Sequence, residues 1–234
     1  MFKHITLLLV LVSFLASCSK DNPVTPTGET YTKPNSGTTY TFADYNTDTT
    51  SGQPMNRDTT VMTVVQTGMN FQGKTNVTKI ISVNHKSTDT LYINYESNND
   101  LSIFELLRSG PYVLTPGWTT LPTGSKATTT IPLGDTSYTV SGITTTIKKS
   151  LDLSYTGESS LVIKGQSTKT VMVKVTFNYT VTTAGVPNSA PLEINFSLAP
   201  SLGFLAKMEA PVSNDGSGGK RPGSFSTLFD YTLK

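Results

Sequence analysis

The sequence predicts an all-β protein: a mostly antiparallel curved sheet, folded as a half-barrel or a sandwich, of about ten strands. Three observations predict it. Apolar and polar residues alternate in many segments, as in strands with one buried face. Threonine makes up 40 of the 234 residues, and β-branched side chains favour strands over helices. Clusters of Gly, Asn, Asp, Ser and Pro separate the alternating segments, as turns do.

The first 17 residues have the layout of a signal peptide. Lys3 and His4 precede an apolar run from Ile5 to Leu15, and two small residues follow before Cys18. An apolar run of about 11 residues is too short to cross a hydrocarbon core of roughly 30 Å as a helix. We therefore expect residues 1–17 to direct export and then to be removed.

The tetrapeptide Leu15-Ala16-Ser17-Cys18 resembles the lipobox of bacterial lipoproteins. In that family the cysteine thiol is acylated before cleavage, so the resemblance implies that Cys18 becomes the lipid-bearing first residue. It also implies a membrane partner, held through acyl chains on Cys18. Cys18 is the only cysteine of the chain, which excludes disulfides and Cys-based metal sites from the rest of the sequence.

Residues 18–38 are rich in Pro, Thr, Asn and Gly, and this composition predicts a lipidated tether. Residues 39–234 are predicted to form a single β-rich domain. Ser19-Lys20-Asp21 is similar to the short signals that send lipoproteins of one Gram-negative phylum to the cell surface. We expect a lipid anchor in the bacterial envelope, in the outer membrane, and the sequence leaves open whether the domain faces the periplasm or the surface.

Charge excludes one class of partner. Cleavage of the signal peptide would remove a single basic residue, Lys3, and leave 17 basic and 16 acidic residues. A near-neutral chain without a basic stripe is not expected to bind nucleic acid. A protein partner is not specified by the sequence.

The longest predicted strand runs from Thr170 to Thr182. Its apolar side chains share one face, namely Val171, Val173, Val175, Phe177, Tyr179 and Val181. A strand of about 13 residues spans some 43 Å, and strands of that length are typical of strongly curved sheets.

Shorter alternating segments predict the other strands. They are Leu91-Ile93-Tyr95, Leu151-Leu153-Tyr155, Leu161-Ile163, Leu192-Ile194-Phe196-Leu198 and Phe225-Phe229-Tyr231-Leu233. Gly157-Glu158 is interpreted as a turn between two of these strands, and Val212 to Ser224 as a mobile loop before the last one. Leu101 to Leu107 fits either a strand or a helical face capped by Asp100, and we expect a strand because its neighbours are strands.

The C-terminal part of the chain carries a second resemblance. Pro200-Ser201-Leu202-Gly203-Phe204-Leu205-Ala206-Lys207 and Leu228-Phe229-Asp230-Tyr231 resemble the closing block of uncharacterised exported bacterial lipoproteins. Such chains look like the half-barrel family of lipoprotein-localisation carriers, in which a curved sheet surrounds an apolar hollow. The resemblance implies this fold and not an activity. From the apolar strand faces we expect an apolar ligand or lipid partner in a site lined by Val173, Val175, Phe177, Tyr179, Ile194 and Phe196. The alternative is a surface interaction or adhesion module with a filled core.

Three motifs suggest chemistry that we do not expect. Gly68 to Thr75 satisfies the phosphate-loop pattern, but β-branched residues follow it where a helix is required, so a β-turn is expected. Asp44, Asn46 and Asp48 have calcium-loop spacing without its glycine and glutamate, which favours an Asx-rich turn. His85 is not expected to belong to a Ser-His-Asp triad, because no nucleophile-elbow motif accompanies it in the sequence. We therefore expect no enzyme activity, no cofactor, no metal and no catalytic residue.

Trp118 follows Pro116-Gly117. Its indole could stack on a sugar, but a large aromatic side chain beside a turn more commonly fills the core. We expect Trp118 to lie in the core.

Overall fold

The computed structural model describes residues 30–97, 100–109, 112–123, 128–214 and 219–234. The signal peptide and Cys18 lie outside the described residues. The described part contains seventeen strands, whose ranges are β1 Thr39–Thr47, β2 Pro54–Phe71, β3 Lys74–Val83, β4 Thr88–Tyr95, β5 Leu101–Phe104, β6 Arg108–Ser109, β7 Tyr112–Val113, β8 Trp118–Leu121, β9 Thr129–Val140, β10 Ile143–Ile163, β11 Gln166–Thr183, β12 Val186–Ser189, β13 Leu192–Ala199, β14 Phe204–Ala210, β15 Ser213–Asn214, β16 Lys220–Arg221 and β17 Gly223–Thr232.

Thirteen of these strands form one open sheet, which confirms the predicted all-β antiparallel fold. The strand order is β8-β5-β4-β3-β2-β1-β17-β14-β13-β11-β10-β9, with β12 paired to β11. Every pairing is antiparallel. Two short ribbons, β6–β7 and β15–β16, stand apart from this sheet.

The sheet folds over so that its two halves share one hydrophobic core. Ile103 of β5 and Phe196 of β13 line the same cavity although seven positions separate their strands in the sheet order. We call the face that carries this core the inner face. All buried core residues lie between Tyr31 and Leu228, so the chain from Ser19 onward contains the whole core of the described residues.

The long hairpin β10–β11 is longer than predicted. Thr170 to Thr182 lies inside β11, and the predicted strands around Leu151 and Leu161 are one continuous strand, β10. The predicted turn at Gly157-Glu158 is wrong, because the pairing register shifts between Tyr155 and Gly157 without a break in the ladder. Gly157 has a φ of 133°, so a glycine-supported β-bulge replaces the turn.

A second bulge corrects the predicted orientation of the last strand. In the β1–β17 register, Thr41 pairs with Asp230 and Phe42 with Leu228, so Phe229 is the extra residue. Leu228 is therefore the buried side chain, and Phe229 is exposed. A one-residue insertion exchanges the faces of all following side chains, and alternation in sequence cannot reveal it.

One end of the folded sheet is closed by the turn Pro200–Leu202 and the segment before β1. The hydroxyl of Tyr40 donates to the Leu202 carbonyl at 2.8 Å, and the hydroxyl of Tyr95 donates to the Gly203 carbonyl at 2.6 Å. Tyr31 is buried at this end, with its ring 5.8 Å from that of Tyr95. Among the described residues Tyr31 is the first buried side chain, so residues on the N-terminal side of Thr39 also pack against the sheet.

Two other segments differ in part from expectation. Leu101–Phe104 is the strand β5, as predicted, but the strand ends there because Glu105 has a φ of 49°. The predicted loop before β17 contains the ribbon β15–β16 around residues 215–218, which lie outside the described part.

Candidate functional site

An apolar cavity of about 160 Å³ lies between the two halves of the inner face. β1, β2, β4 and β5 supply one wall, and β13, β14 and β17 the other. The lining residues are Phe42, Met62, Leu91, Ile103, Leu106, Phe196, Leu205, Met208 and Ser226. Ser226 is the single polar residue among them, so the lining of the cavity is almost entirely apolar.

A larger polar cleft of about 570 Å³ adjoins this cavity. Met208 and Ser226 line both spaces, so the cavity and the cleft are neighbours at these two side chains. The polar cleft is formed by the ends of β1, β2 and β17 and by the β3–β4 turn. Its acidic and basic lining residues are Asp44, Arg57, Asp58, His85 and Lys86.

The two carboxylates of the cleft are cross-strand partners. Asp44 of β1 lies opposite Asp58 of β2, and two like charges in that position repel each other. Each carboxylate is compensated separately: Asp44 accepts a hydrogen bond from the Thr60 hydroxyl, and Asp58 forms an ion pair with the imidazole of His85. The Thr59 N–H holds the pKa of Asp58 below its usual range, and the charges of His85 and Lys86 lower it further. The cleft thus presents acidic side chains beside basic ones.

The structure separates the six predicted lining residues into three groups. Val173, Val175 and Ile194 are buried in the solid core and line neither space described above. Phe196 lines the apolar cavity. Phe177 and Tyr179 line a different cleft, of about 280 Å³.

Sequence reasoning missed most of the residues that line the apolar cavity. Phe42, Met62, Leu91, Ile103 and Leu205 come from strands distant in the sequence. Alternation marks Leu91 as inward-facing, but only the folded sheet brings it opposite β13 and β14.

The phosphate-loop motif is a β-hairpin turn, as predicted. β2 ends at Phe71, β3 begins at Lys74, and the two residues between them have φ values of 46° and 79°. Two successive positive φ angles define a type I′ hairpin turn. The ammonium of Lys74 pairs with Glu96, so this segment is built as a strand connection.

The remaining motif residues serve local structure. The Asp48 carboxylate accepts hydrogen bonds from the backbone N–H groups of Thr50 and Ser51, which is the Asx-type turn expected there. Within the described residues, no group of three or more His, Cys, Asp or Glu side chains is placed to hold a metal ion.

The placement expected for Trp118 is wrong, because this side chain lies on the outer face and not in the core. Its ring packs edge-on against Phe104 at 5.4 Å and Phe71 at 6.3 Å. The indole N–H donates to the Gln72 carbonyl at 3.0 Å. Trp118 therefore belongs to a second aromatic cluster on the outer face of the sheet, whereas the sequence predicts that it lies in the core.

Among the described residues, no helix has the length and apolar character needed to cross a membrane. No protein-family model matches the chain, and no curated protein matches its sequence.

Two solved structures are similar in fold. One is a putative lipoprotein from Parabacteroides distasonis, 12% identical with a TM-score of 0.46, and the match covers 88% of this chain and 99% of that one. The other is a putative exported protein with a YmcC-like fold from Bacteroides fragilis, 10% identical with a TM-score of 0.42, covering 87% of this chain and 99% of that one.

Proposed function

We propose that this chain is a lipid-anchored, non-enzymatic envelope protein that binds a small amphiphilic ligand between the halves of its folded sheet. One observation carries the binding role: an apolar cavity and a polar cleft lie side by side, with Met208 and Ser226 lining both. An apolar space next to a polar one suits a ligand with one apolar and one polar end. The proposed anchor is the acyl group on Cys18, in the outer membrane.

The size of the cavity limits the ligand. A protein cavity of roughly 150 Å³ lined by apolar side chains stays dry and binds benzene. The cavity here has about the same volume, 160 Å³, so it accommodates an aromatic ring or the end of an acyl chain. The remaining part of the ligand would occupy the polar cleft, whose 570 Å³ is within the range of small-molecule sites.

Methionine methyl groups provide a direct test. We expect benzyl alcohol to shift the ¹³C-methyl NMR signals of Met62 and Met208, which line the cavity, and to leave that of Met172 unchanged. Met172 packs near Gly157 on the opposite side of β11. The chain from Ser19 to Lys234 suffices for this experiment, since it contains the described core.

A matched pair of substitutions makes the test specific. Ser226→Leu adds an apolar side chain to the lining of the cavity and should abolish the shifts by filling it. Thr227→Leu changes the next residue of β17, which faces the outer side, and should preserve them. Equal shifts at Met172, or unchanged signals at Met62 and Met208, would contradict the proposal.

The alternative role, a surface interaction module, is favoured by the edge strand β9. β9 ends the sheet and is mostly exposed. Its two-residue turn to β10 makes Val140 and Ile143 the closing pair, so the backbone groups of Ser137 and Thr139 point away from β10. An edge that none of the described strands covers is a template for a further strand.

The occupant that we assign to this edge is a second copy of the chain, paired β9 to β9. Sedimentation velocity should then show a dimer. Ser137→Pro should dissociate it, because proline removes an outward N–H without breaking the β9–β10 ladder. A monomer at all concentrations would exclude this pairing.

A further inference from the structure

We infer that the chain has a second binding site, a cleft that takes a carboxylate with a medium-length apolar chain. This cleft of about 280 Å³ is lined by Arg108, Leu114, Phe177, Tyr179, Ala190, Leu192 and Arg221. It shares no lining residue with the apolar cavity or with the polar cleft. The inference therefore stands independently of the ligand proposed above.

The apolar floor of the second cleft comes from the inner face of the main sheet. Phe177 of β11 lies opposite Leu192 of β13 in the strand register. Phe177 is 7% exposed, whereas Tyr179 and Leu192 are half-buried. The floor is thus apolar but not covered by other strands of the sheet, unlike the neighbouring positions Val173 and Val175.

The two ribbons outside the main sheet bring the charges. Arg108 belongs to β6 and Arg221 to β16, so each ribbon contributes one guanidinium to the same cleft. Among the described lining residues none carries a carboxylate, and both guanidinium groups also have partners within the chain. Two cations above an apolar floor match an anion that carries an apolar chain.

Arg108 keeps bonding capacity for a ligand. Its Nη2 lies 2.7 Å from Oε2 of Glu105, and this contact orients the side chain. A guanidinium has five N–H donors and binds a carboxylate through two of them. The ion pair with Glu105 therefore leaves donors for an incoming carboxylate.

The volume of the cleft indicates the length of the chain. At 280 Å³ the cleft has nearly twice the roughly 150 Å³ that holds one benzene molecule. A single chain of about eight carbons fits this space better than a two-chain lipid. We therefore assign a medium-chain fatty acid to it.

Calorimetric titration with charge-matched probes tests the assignment on the chain from Ser19 to Lys234. Octanoate should bind saturably, whereas octanol, octylammonium and inorganic phosphate should bind at least about tenfold more weakly. Arg108→Gln and Arg221→Gln should each weaken octanoate binding by about tenfold. Lys174→Gln removes a cation of β11 that pairs with Glu193 outside the cleft, and it should have no effect.

Two results would overturn the inference: octanoate affinity unchanged in both arginine variants, or octylammonium binding as tightly as octanoate. Thermal unfolding curves that superimpose for all variants confirm that the exposed substitutions leave the fold intact. Ser226→Leu should retain octanoate binding. This result separates the second cleft from the apolar cavity, so that either site can fail alone.

Discussion

Gly203→Ala should destabilise the closed end of the fold far more than an ordinary glycine substitution. A Cβ atom at Gly203 would lie 1.9 Å from the carbonyl oxygen of Thr32 and 3.1 Å from Cδ of Pro34. The obstructing oxygen belongs to the backbone of Thr32 and cannot rotate away as a flexible side chain could. The segment before β1 must therefore move from the Pro200–Leu202 turn.

The magnitude follows from what is lost. The φ of Gly203 is 72°, and alanine in that conformation costs about 1 kcal/mol. Displacing the segment also exposes Tyr31 and breaks the hydrogen bond from the Thr32 N–H to the Pro200 carbonyl. These losses are roughly 1.5–3 kcal/mol for the aromatic side chain and about 1 kcal/mol for the bond. We expect a total of about 3.5 to 5 kcal/mol.

Gly165→Ala is the matched control. Gly165 has nearly the same φ, 75°, but no heavy atom within 4 Å of the added Cβ. It should lose only about 1 kcal/mol. Urea denaturation of both variants, with midpoint and slope fitted separately, measures the difference. Equal losses of unfolding free energy would refute the steric argument and the docking of the Tyr31 segment.

Three further predictions concern the anchor, the hairpin and the core. Cys18→Ser should abolish acylation and move the protein out of the detergent phase; unchanged partitioning would exclude the anchor. Lys74→Ala should lower stability by under about 1 kcal/mol without affecting nucleotide binding, and saturable ATP binding lost in the variant would contradict this. Burial acts to raise the pKa of Glu96, but hydrogen bonds from Lys74 and Ser102 lower it overall. The difference in unfolding free energy between the wild type and Lys74→Ala should therefore be fully present at pH values above the pKa of Glu96 in the unfolded chain. It should disappear as the pH falls through the lower pKa of Glu96 in the folded protein. Phe204→Ala, at a fully buried ring that lines none of the spaces described above, should cost about 3–5 kcal/mol, and Phe177→Ala less because Phe177 borders an open cleft; equal losses in urea denaturation would indicate that the cleft is filled.

The strands themselves were predictable because alternation is a local property. The inward set Val171, Val173, Val175 and Phe177 is buried as the sequence indicates. The same holds for Ile194, Phe196 and Leu198 of β13. Successive side chains of a strand point to opposite faces of the sheet, and the apolar set faces the core. The direction of each of these side chains therefore depends only on its own strand.

Bulges set the limit of this reasoning. Gly157 and Phe229 each shift the register by one residue, and sequence reasoning misplaced both. Whether an extra residue is absorbed depends on the partner strand, which lies elsewhere in the sequence. The pairing of β1 with β17 joins the two ends of the described chain, and no local pattern specifies it.

The candidate sites show the same division. By itself, the sequence determined the fold class, the strand faces, and the export signal and lipobox resemblance at Cys18, since these depend on neighbouring residues. Only the tertiary structure decided which inward residues meet solid packing and which border open space. Val175 and Phe177 alternate on one face of β11, yet the first is fully buried and the second borders a cleft. Empty volume depends on the distance between facing strands and on the ribbons above them, and these are set by contacts between residues far apart in the chain.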